Sequence, residues 1–569
     1  MIKSSRQISK FLQSIPQDIL NNIIAKNALS TEQGAVIEFV VLFQGTPSDF
    51  NLDVEKIGAT FTDLGYGFGI ISIKVSDLNR LDELVKLQYV ELPKALETTD
   101  YQSNNVSCVQ SAWNTYGLSG EGTVIGFLDT GIDFTHPGFN SDLGGTRIQY
   151  IYDLQSNKLY TKADIDKALS SDDPYSVVPI QDLSGHGTHV AGIACAGGKI
   201  NFNNYGVAYK SDIIMVKITR EGDLNRALST QLMRGLKFLV DKSYELNKPL
   251  TVNISLSTNQ GGHNGRSLLE QYIEVVTVTE RITIVVAAGN EGSAGHHIGG
   301  DISPILRIPL SIADEEKAIS FEFYKTLLNS FSIEMISPMG ISSQQIMLDQ
   351  KYNERSLGRV KFMSYNMGAS PFDRIGQTNI RISTLDNQLI PGEWTIILRS
   401  LNEYSGYFDM WLPIAEGLNP QTRFLQPNVL NTLGIPATVD GVISVGSYNY
   451  MNNTLSPFSG RGVSRPGRDR KPDILAPGEN ILSTVVGGGF DTKTGTSMAA
   501  PTVAGICALL GEWGIVKGND IYLYGGRVKY YLCKAAKRPI SSLNYPDPAY
   551  GYGFVCVDNA INLIQSEQW

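Results

Sequence analysis

Apolar and polar positions along the 569-residue chain follow three successive patterns. In the first hundred residues, "AVIEFVVLFQG" (35–45) and "FGIISIKV" (68–75) are dense in β-branched side chains and read as strands. Between the second strand and the end of the block, "SDLNRLDELVKL" (76–87) opens on a capping Ser or Asp and carries helical spacing, and "YVELPKAL" then runs extended to about residue 96. A strand, helix, strand, strand, helix, strand order is predicted, which is a small α+β ferredoxin-like sandwich over 1–97.

From about residue 98, short unbroken apolar runs take over: "GTVIGFLD" (122–129), "SDIIMVKI" (211–218), "LTVNISLS" (250–257) and "RITIVVAAGN" (281–290). They alternate with stretches of helical spacing at 186–197, 227–246 and 267–280. Strands that are apolar on both faces, separated by helices of this length, indicate a parallel sheet covered on both sides. A doubly wound α/β domain is predicted over 98–290, and "GVISVGSY" (441–448) resumes it over 431–569. Between these halves the period drops to two. Runs such as "ILRIPLSIA", "AISFEFYK", "RVKFMSYN" and "EWTIILRS" are divided by Gly, Pro, Asn and Asp, so 291–430 is expected to be an inserted β-sandwich or jelly roll.

Composition narrows the function classes. With 18% charged residues and a net charge of −9, the chain has no broad basic face to neutralise a phosphate backbone, and nucleic acid is not an expected partner. The start, "MIKSSRQISKFLQSIPQDILNN", breaks its apolar residues with charge and lacks the h-region of a secretory signal, so an intracellular location is expected. No unbroken run of 18 apolar residues occurs, and no transmembrane segment is expected. Cys108, Cys195, Cys507, Cys533 and Cys556 are odd in number, widely spread and free of CxxC spacing; all five are expected to be reduced and buried.

Parallel sheets gather ligands at the carboxyl ends of their strands, which draws attention to the polar residues there. Ser497 lies in "GTSMAAP" at the head of an apolar helix, with small neighbours that leave room for attack on a carbonyl. Pro501 is expected at the edge of the first turn, where a missing N–H costs least. A hydroxyl nucleophile needs a base, and His186 in "SGHGTHVAG" is the candidate among six histidines. Asp129 ends the strand in "FLDTGID" and supplies the carboxylate that orients such a base. Asn290, after "IVVAAG", and the Ser497 N–H are candidate oxyanion donors.

"DTGID", "GHGTHVAG", "AAGNEG" and "GTSMAAPTVAG" resemble, in the same order, the four signatures of subtilisin-like serine proteases, over roughly 105–292 and 430–515. The resemblance implies a triad of Asp129, His186 and Ser497, an oxyanion hole with Asn290, and no cofactor or catalytic metal. It also implies that "NISLS" pairs with substrate beside the specificity pocket, with Ser255, Leu256, Ser257 and Gly289 as binding residues. Ser257 and Thr258 stand where small glycines are common. The first block resembles the family's propeptide, a chaperone and inhibitor that the enzyme removes itself; the cut is expected near Glu97, Thr98 and Thr99, and the cleaved prodomain becomes a partner. More narrowly the chain is similar to the Csp germination proteases of clostridial spores, which implies action within the spore on the precursor of a cortex-lytic enzyme.

Blander readings stand beside these. Small residues in "GTSMAAP" alone would suit tight helix packing, but three accompanying motifs favour catalysis. His189 is expected to be a structural, hydrogen-bonded histidine, His136 a turn residue, and His296 and His297 solvated near the domain junction. A zinc site from His136, His186 and His189 lacks any HExxH pattern or cysteine pair. Two other function classes are a regulatory adaptor with a permanently plugged triad and a broadly degradative intracellular subtilase.

Overall fold

The computed structural model describes residues 28–31, 34–65, 67–91, 101–219, 227–301, 303–314, 316–369, 375–384, 389–403, 406–463 and 471–567. The expected cleavage region, Glu97 to Thr99, lies outside them. The chain divides into two compact units, Met1–Thr98 and Thr99–Trp569.

In the first unit an antiparallel sheet centres on Gly34–Phe43, which pairs with Ala28–Thr31, Phe68–Lys74 and Leu87–Glu91; Thr60–Gly65 lies outside Phe68–Lys74. Helix Pro47–Lys56 is capped by the Thr46 hydroxyl and buries Phe50 and Val54, with the Phe50 ring stacked 4.6 Å from that of Phe43. The helix expected over 76–87 is instead a 3₁₀ helix, Val75–Glu83. Leu78, Leu81 and Leu84 recur every third residue, which fits three residues per turn, and Asp77, Asn79 and Asp82 compete for main-chain bonds.

The second unit is built on a sheet in which Val124–Asp129, Ile148–Asp153, Asp212–Lys217, Leu250–Ile254, Ile282–Ala287, Ile443–Asn449 and Ile474–Pro477 run parallel. From Val124–Asp129 the chain first fills one side of the sheet, with Ile148–Asp153 and Asp212–Lys217, and then the other, with Leu250–Ile254, Ile282–Ala287 and Ile443–Asn449. The carboxyl end of Val124–Asp129 is therefore a topological switch point, where a crevice opens. His186–Cys195 and Thr496–Gly511 cover one face; Ser229–Leu246 and Leu268–Thr279 cover the other.

Helix Thr496–Val516 is long and apolar enough to cross a membrane by length and composition, contrary to the expectation from unbroken runs. Yet 89% of its apolar window is buried, and it is the central helix of the core.

Two antiparallel sheets form a sandwich between Ile282–Ala287 and Ile443–Asn449, adjacent strands of the parallel sheet, so the insertion leaves that sheet unbroken. Its six-stranded layer runs in the order His297–Asp301, Tyr407–Trp411, Ala318–Thr326, Ile375–Thr384, Val360–Ala369, Tyr352–Leu357. A five-stranded layer faces it, with Phe321, Phe323, Phe331, Phe362 and Trp394 in the core between.

Two sequence expectations fail in this unit. His296 and His297 are each only 2% exposed, because each meets a carboxylate: His296 Nδ1 lies 2.6 Å from Glu291 Oε2 and His297 Nε2 lies 2.9 Å from Asp409 Oδ1. The junction of the sandwich is a packed joint, in which the Trp411 ring stacks with those of His263 and His297. Cys108 and Cys556 are joined in a disulfide, while Cys195, Cys507 and Cys533 are free and buried.

Behind the sheet, Asp473 receives Lys471 and Lys529 at 2.9 Å each, and the Ser444 N–H and hydroxyl at 2.8 Å each. Burial lowers Lys471 to about 8, partly offset by the Asp473 charge. Asp473→Ala strands two cations in the interior, and a loss of about 3–5 kcal/mol is expected from urea unfolding; a change under about 1 kcal/mol contradicts this arrangement.

Candidate active site

Asp129 closes its strand fully buried at the switch point. Its Oδ1 lies 2.7 Å from His186 Nδ1 and accepts the Thr130 N–H at 2.7 Å, while Oδ2 has no hydrogen-bond partner among the described residues. The approach depends on Gly187. A Cβ there would stand 2.2 Å from the Gly131 carbonyl oxygen and 3.1 Å from Asp129 Oδ1. Only a glycine after His186 lets the helix begin this close to the strand end.

Asp182, which the sequence reading passed over, fastens the same helix start. Its Oδ1 accepts from the Thr130 hydroxyl and the Gly185 N–H, and its Oδ2 from the N–H and hydroxyl of Thr188. The signal was an acidic residue four positions before His186, in capping range of a helix N-terminus. Burial disfavours a charged His186 ring, but the Asp129 charge and hydrogen bond outweigh it, and the imidazole stands above its ordinary value despite Lys493. His189 goes the other way: burial lowers it to about 4, and its Nε2 pairs with the Asp491 carbonyl at 3.0 Å. His136 likewise holds a turn, accepting the Gly138 N–H at Nδ1 and meeting the Gly489 carbonyl at Nε2. Among the described residues no group of three or more His, Cys, Asp or Glu side chains is gathered as for a metal ion.

Ser497 is the second residue of Thr496–Gly511, so its N–H has no intrahelical acceptor. Pro501 sits inside this helix and not at the edge of its first turn, as expected from the sequence. Its missing N–H is the one that would have bonded the Ser497 carbonyl four residues earlier. That carbonyl accepts the Ser255 hydroxyl at 3.2 Å instead, and the Ser497 hydroxyl donates to the Ser255 carbonyl at 3.1 Å. No hydrogen bond joins Ser497 to His186 among the described residues.

Asn290 is held by Thr496, whose N–H and hydroxyl both donate to Asn290 Oδ1 at 3.0 Å. Thr496 thus anchors Asn290, and the Asn290 Nδ2 hydrogens have no acceptor among the described residues. A Cβ built on Gly495 lies 3.6 Å from Asn290 Nδ2 and 3.8 Å from Ser497 N. The missing side chain of Gly495 therefore opens a space bounded by two donors, suited to an oxyanion.

Residues 255–258 continue the central strand Leu250–Ile254. Leu256 packs against the core. Ser257 fills the gap between two glycines: its Oγ lies 3.3 Å from a Cβ built on Gly289, and its Cβ 2.6 Å from one built on Gly434. Thr258 exchanges 3.0 Å hydrogen bonds with Ile435.

A buried carboxylate–imidazole pair lies at the switch point, and Ser497 is bonded to Ser255, the residue that follows the strand paired with Val124–Leu128; these are the side-chain types of a serine hydrolase of the doubly wound α/β class. The profile of the subtilase family matches residues 120–325 and 417–553, and that of the Csp protease B prodomain matches residues 6–94. The chain belongs to the subtilase family. A solved structure of the CspB protease of Clostridium perfringens is 61% identical, with a TM-score of 0.80, and the match covers 82% of this chain and 98% of that one. The PII-type proteinase of Lactococcus lactis subsp. cremoris is 24% identical over 90% of this chain; the match spans 30% of that protein's length. The intracellular serine protease of Paenibacillus polymyxa is 46% identical over 78 residues, 14% of this chain and 22% of that protein.

The His186 titration followed by NMR is expected to centre above about 6.5, because Asp129 favours the charged ring. In Asp129→Asn burial and Lys493 disfavour the charged ring and only the Asp182 charge still favours it, so the midpoint should fall; a midpoint unmoved by the substitution contradicts the pairing.

Proposed function

We propose that this subtilase is a serine endopeptidase whose catalytic residues are Ser497, His186 and Asp129. The observation that carries this reading is the 2.7 Å contact of His186 Nδ1 with a fully buried Asp129, beside a serine at a helix N-terminus. Attack requires the Ser497 hydroxyl to leave the Ser255 carbonyl and turn to His186 Nε2. His186 then takes its proton, the oxygen bonds to the peptide carbonyl carbon, and Asn290 Nδ2 with the Ser497 N–H receives the oxyanion. Collapse gives an acyl-enzyme and an amine that carries off the proton, and water repeats the cycle. Residues 255–257 hold the substrate backbone, and Ser257 with Gly289 narrows the pocket beside it.

The prodomain is proposed to be cut by the same nucleophile near residues 97–99 and to stay associated as a partner. The biological substrate is proposed to be the precursor of a cortex-lytic enzyme, cut at few sites inside the germinating spore. The motif resemblance to the Csp proteases, the prodomain match and the 61% identity to CspB support this reading. The Ser497 hydroxyl bonded to Ser255 favours a second reading, an adaptor with an idle triad.

A serine-directed fluorophosphonate separates the two. Labelling of the processed chain that disappears in Ser497→Ala, together with persistence of that variant at full length, is expected; a processed chain that takes no label is an adaptor. With peptide substrates, Asn290→Leu should lower kcat by about 10²–10³-fold with little change in KM, and an undiminished kcat removes Asn290 from the oxyanion hole.

A further inference from the structure

Across the six-stranded layer of the sandwich, His297, Trp411, Glu322, Asn379, Tyr365 and Tyr352 stand opposite one another in register. Side chains in such a row share one face. This is the outer face, since Phe321, Phe323, Phe362 and Ile380 point into the sandwich core. One end of the row is sealed where Trp411 stacks on His263, and the other is open, with Tyr352 54% and Tyr365 44% exposed. Between them lies a cleft of ≈ 370 Å³ lined by the row from Trp411 to Tyr352 and walled by Asn259 and Gln260.

Glu322 is the carboxylate of this cleft. Its Oε2 accepts the Tyr324 hydroxyl at 2.5 Å and the Gly261 N–H at 2.9 Å. Among the described residues it forms no ion pair. Arg381 lines the same cleft but donates to the Ser320 hydroxyl at 3.3 Å. Burial raises the Glu322 carboxyl above its usual range, with no cation to oppose the effect. A single carboxylate with one oxygen already engaged is a poor nest for a divalent cation, which needs several oxygen ligands. In a cleft that Tyr365 and Tyr352 also line, it is suited to an organic cation.

We propose that this cleft binds an ammonium or guanidinium group, presented as the basic side chain of a peptide, with the charge on Glu322 and the stem along Tyr365 and Tyr352. An ammonium alone would leave most of the cleft empty. Asn379, Gln260 and Arg381 offer hydrogen bonds to the backbone on either side of the basic residue. The cleft adjoins the candidate active site through the chain. Gly261, bonded to Glu322, lies four residues after Ser257, the end of the proposed substrate segment, and Asn259 Nδ2 reaches Glu291, the neighbour of Asn290, at 3.3 Å. As an anchor for a protein substrate outside the catalytic crevice, the site rests on the endopeptidase reading; as a binding site it does not.

The full chain carrying Ser497→Ala, titrated with a fluorescent pentapeptide holding one lysine among glycines, tests this without any cleavage. The lysine peptide should bind at least about tenfold more tightly than its glutamine counterpart. Glu322→Gln, which keeps an acceptor for the Gly261 N–H, should abolish that preference. Tyr365→Leu, at the open end and away from the Gly261 contact, should weaken the lysine peptide severalfold. Equal binding of the two peptides, or a preference that survives Glu322→Gln, overturns the proposal. Competition by n-butylamine at concentrations matching the peptide also overturns it, by assigning the cleft to free amines.

Discussion

A helix start pressed against a strand end, close enough for a carboxylate and an imidazole to share a proton at 2.7 Å, is the contact on which the rest depends. Asp129 is withdrawn from water and its Oδ2 finds no donor among the described residues, so the charge is poorly solvated. A carboxylate in that state gains most when the ring beside it becomes an imidazolium. That is the state a general base enters during attack. The fold secures the contact through an absence of bulk at Gly187, and through Asp182, which ties the Asp129 turn to the helix that carries His186.

Similar economy fixes the other half of the site. Pro501 takes one N–H out of the central helix, and the carbonyl it leaves free is claimed by Ser255, so the segment after Leu250–Ile254 and the serine helix are joined at Ser497 itself. Thr496 orients the Asn290 amide by occupying its oxygen. The next residue, Glu291, takes the His296 ring and the Ala415 N–H, so the sandwich is bonded to the chain immediately beyond the candidate oxyanion donor. Donors fixed in advance need little rearrangement when charge develops, which is the physical advantage of such a frame.

The sequence displayed the parts of this design that obey local rules. Strands apolar on both faces, such as "VIGFLD" and "ITIVVA", announce a buried parallel sheet, and polar residues at their carboxyl ends point to Asp129 and Asn290. What stayed hidden was set by distant partners. Cys108 and Cys556 meet across 448 residues, which no spacing rule reaches. His297 is paired with Asp409, 112 residues after it, and His296, whose Glu291 is only five residues away, is buried because the junction between the sandwich and the sheet is packed. Pro501 lies inside the helix and not at the edge of its first turn because the helix already begins at Thr496. The capping place of Asp182 was legible four residues before His186, but its bond to Thr130 and that of Thr496 to Asn290 join segments far apart in the chain.

Whether the three groups act as one unit can be seen directly in a crystal structure of the processed chain after reaction with a peptidyl phosphonate. The expected result is a bond from Ser497 Oγ to phosphorus, one phosphonyl oxygen between Asn290 Nδ2 and the Ser497 N–H, and peptide running beside residues 255–257. An unmodified Ser497, its hydroxyl still on the Ser255 carbonyl after prolonged exposure to the reagent, would contradict the assignment.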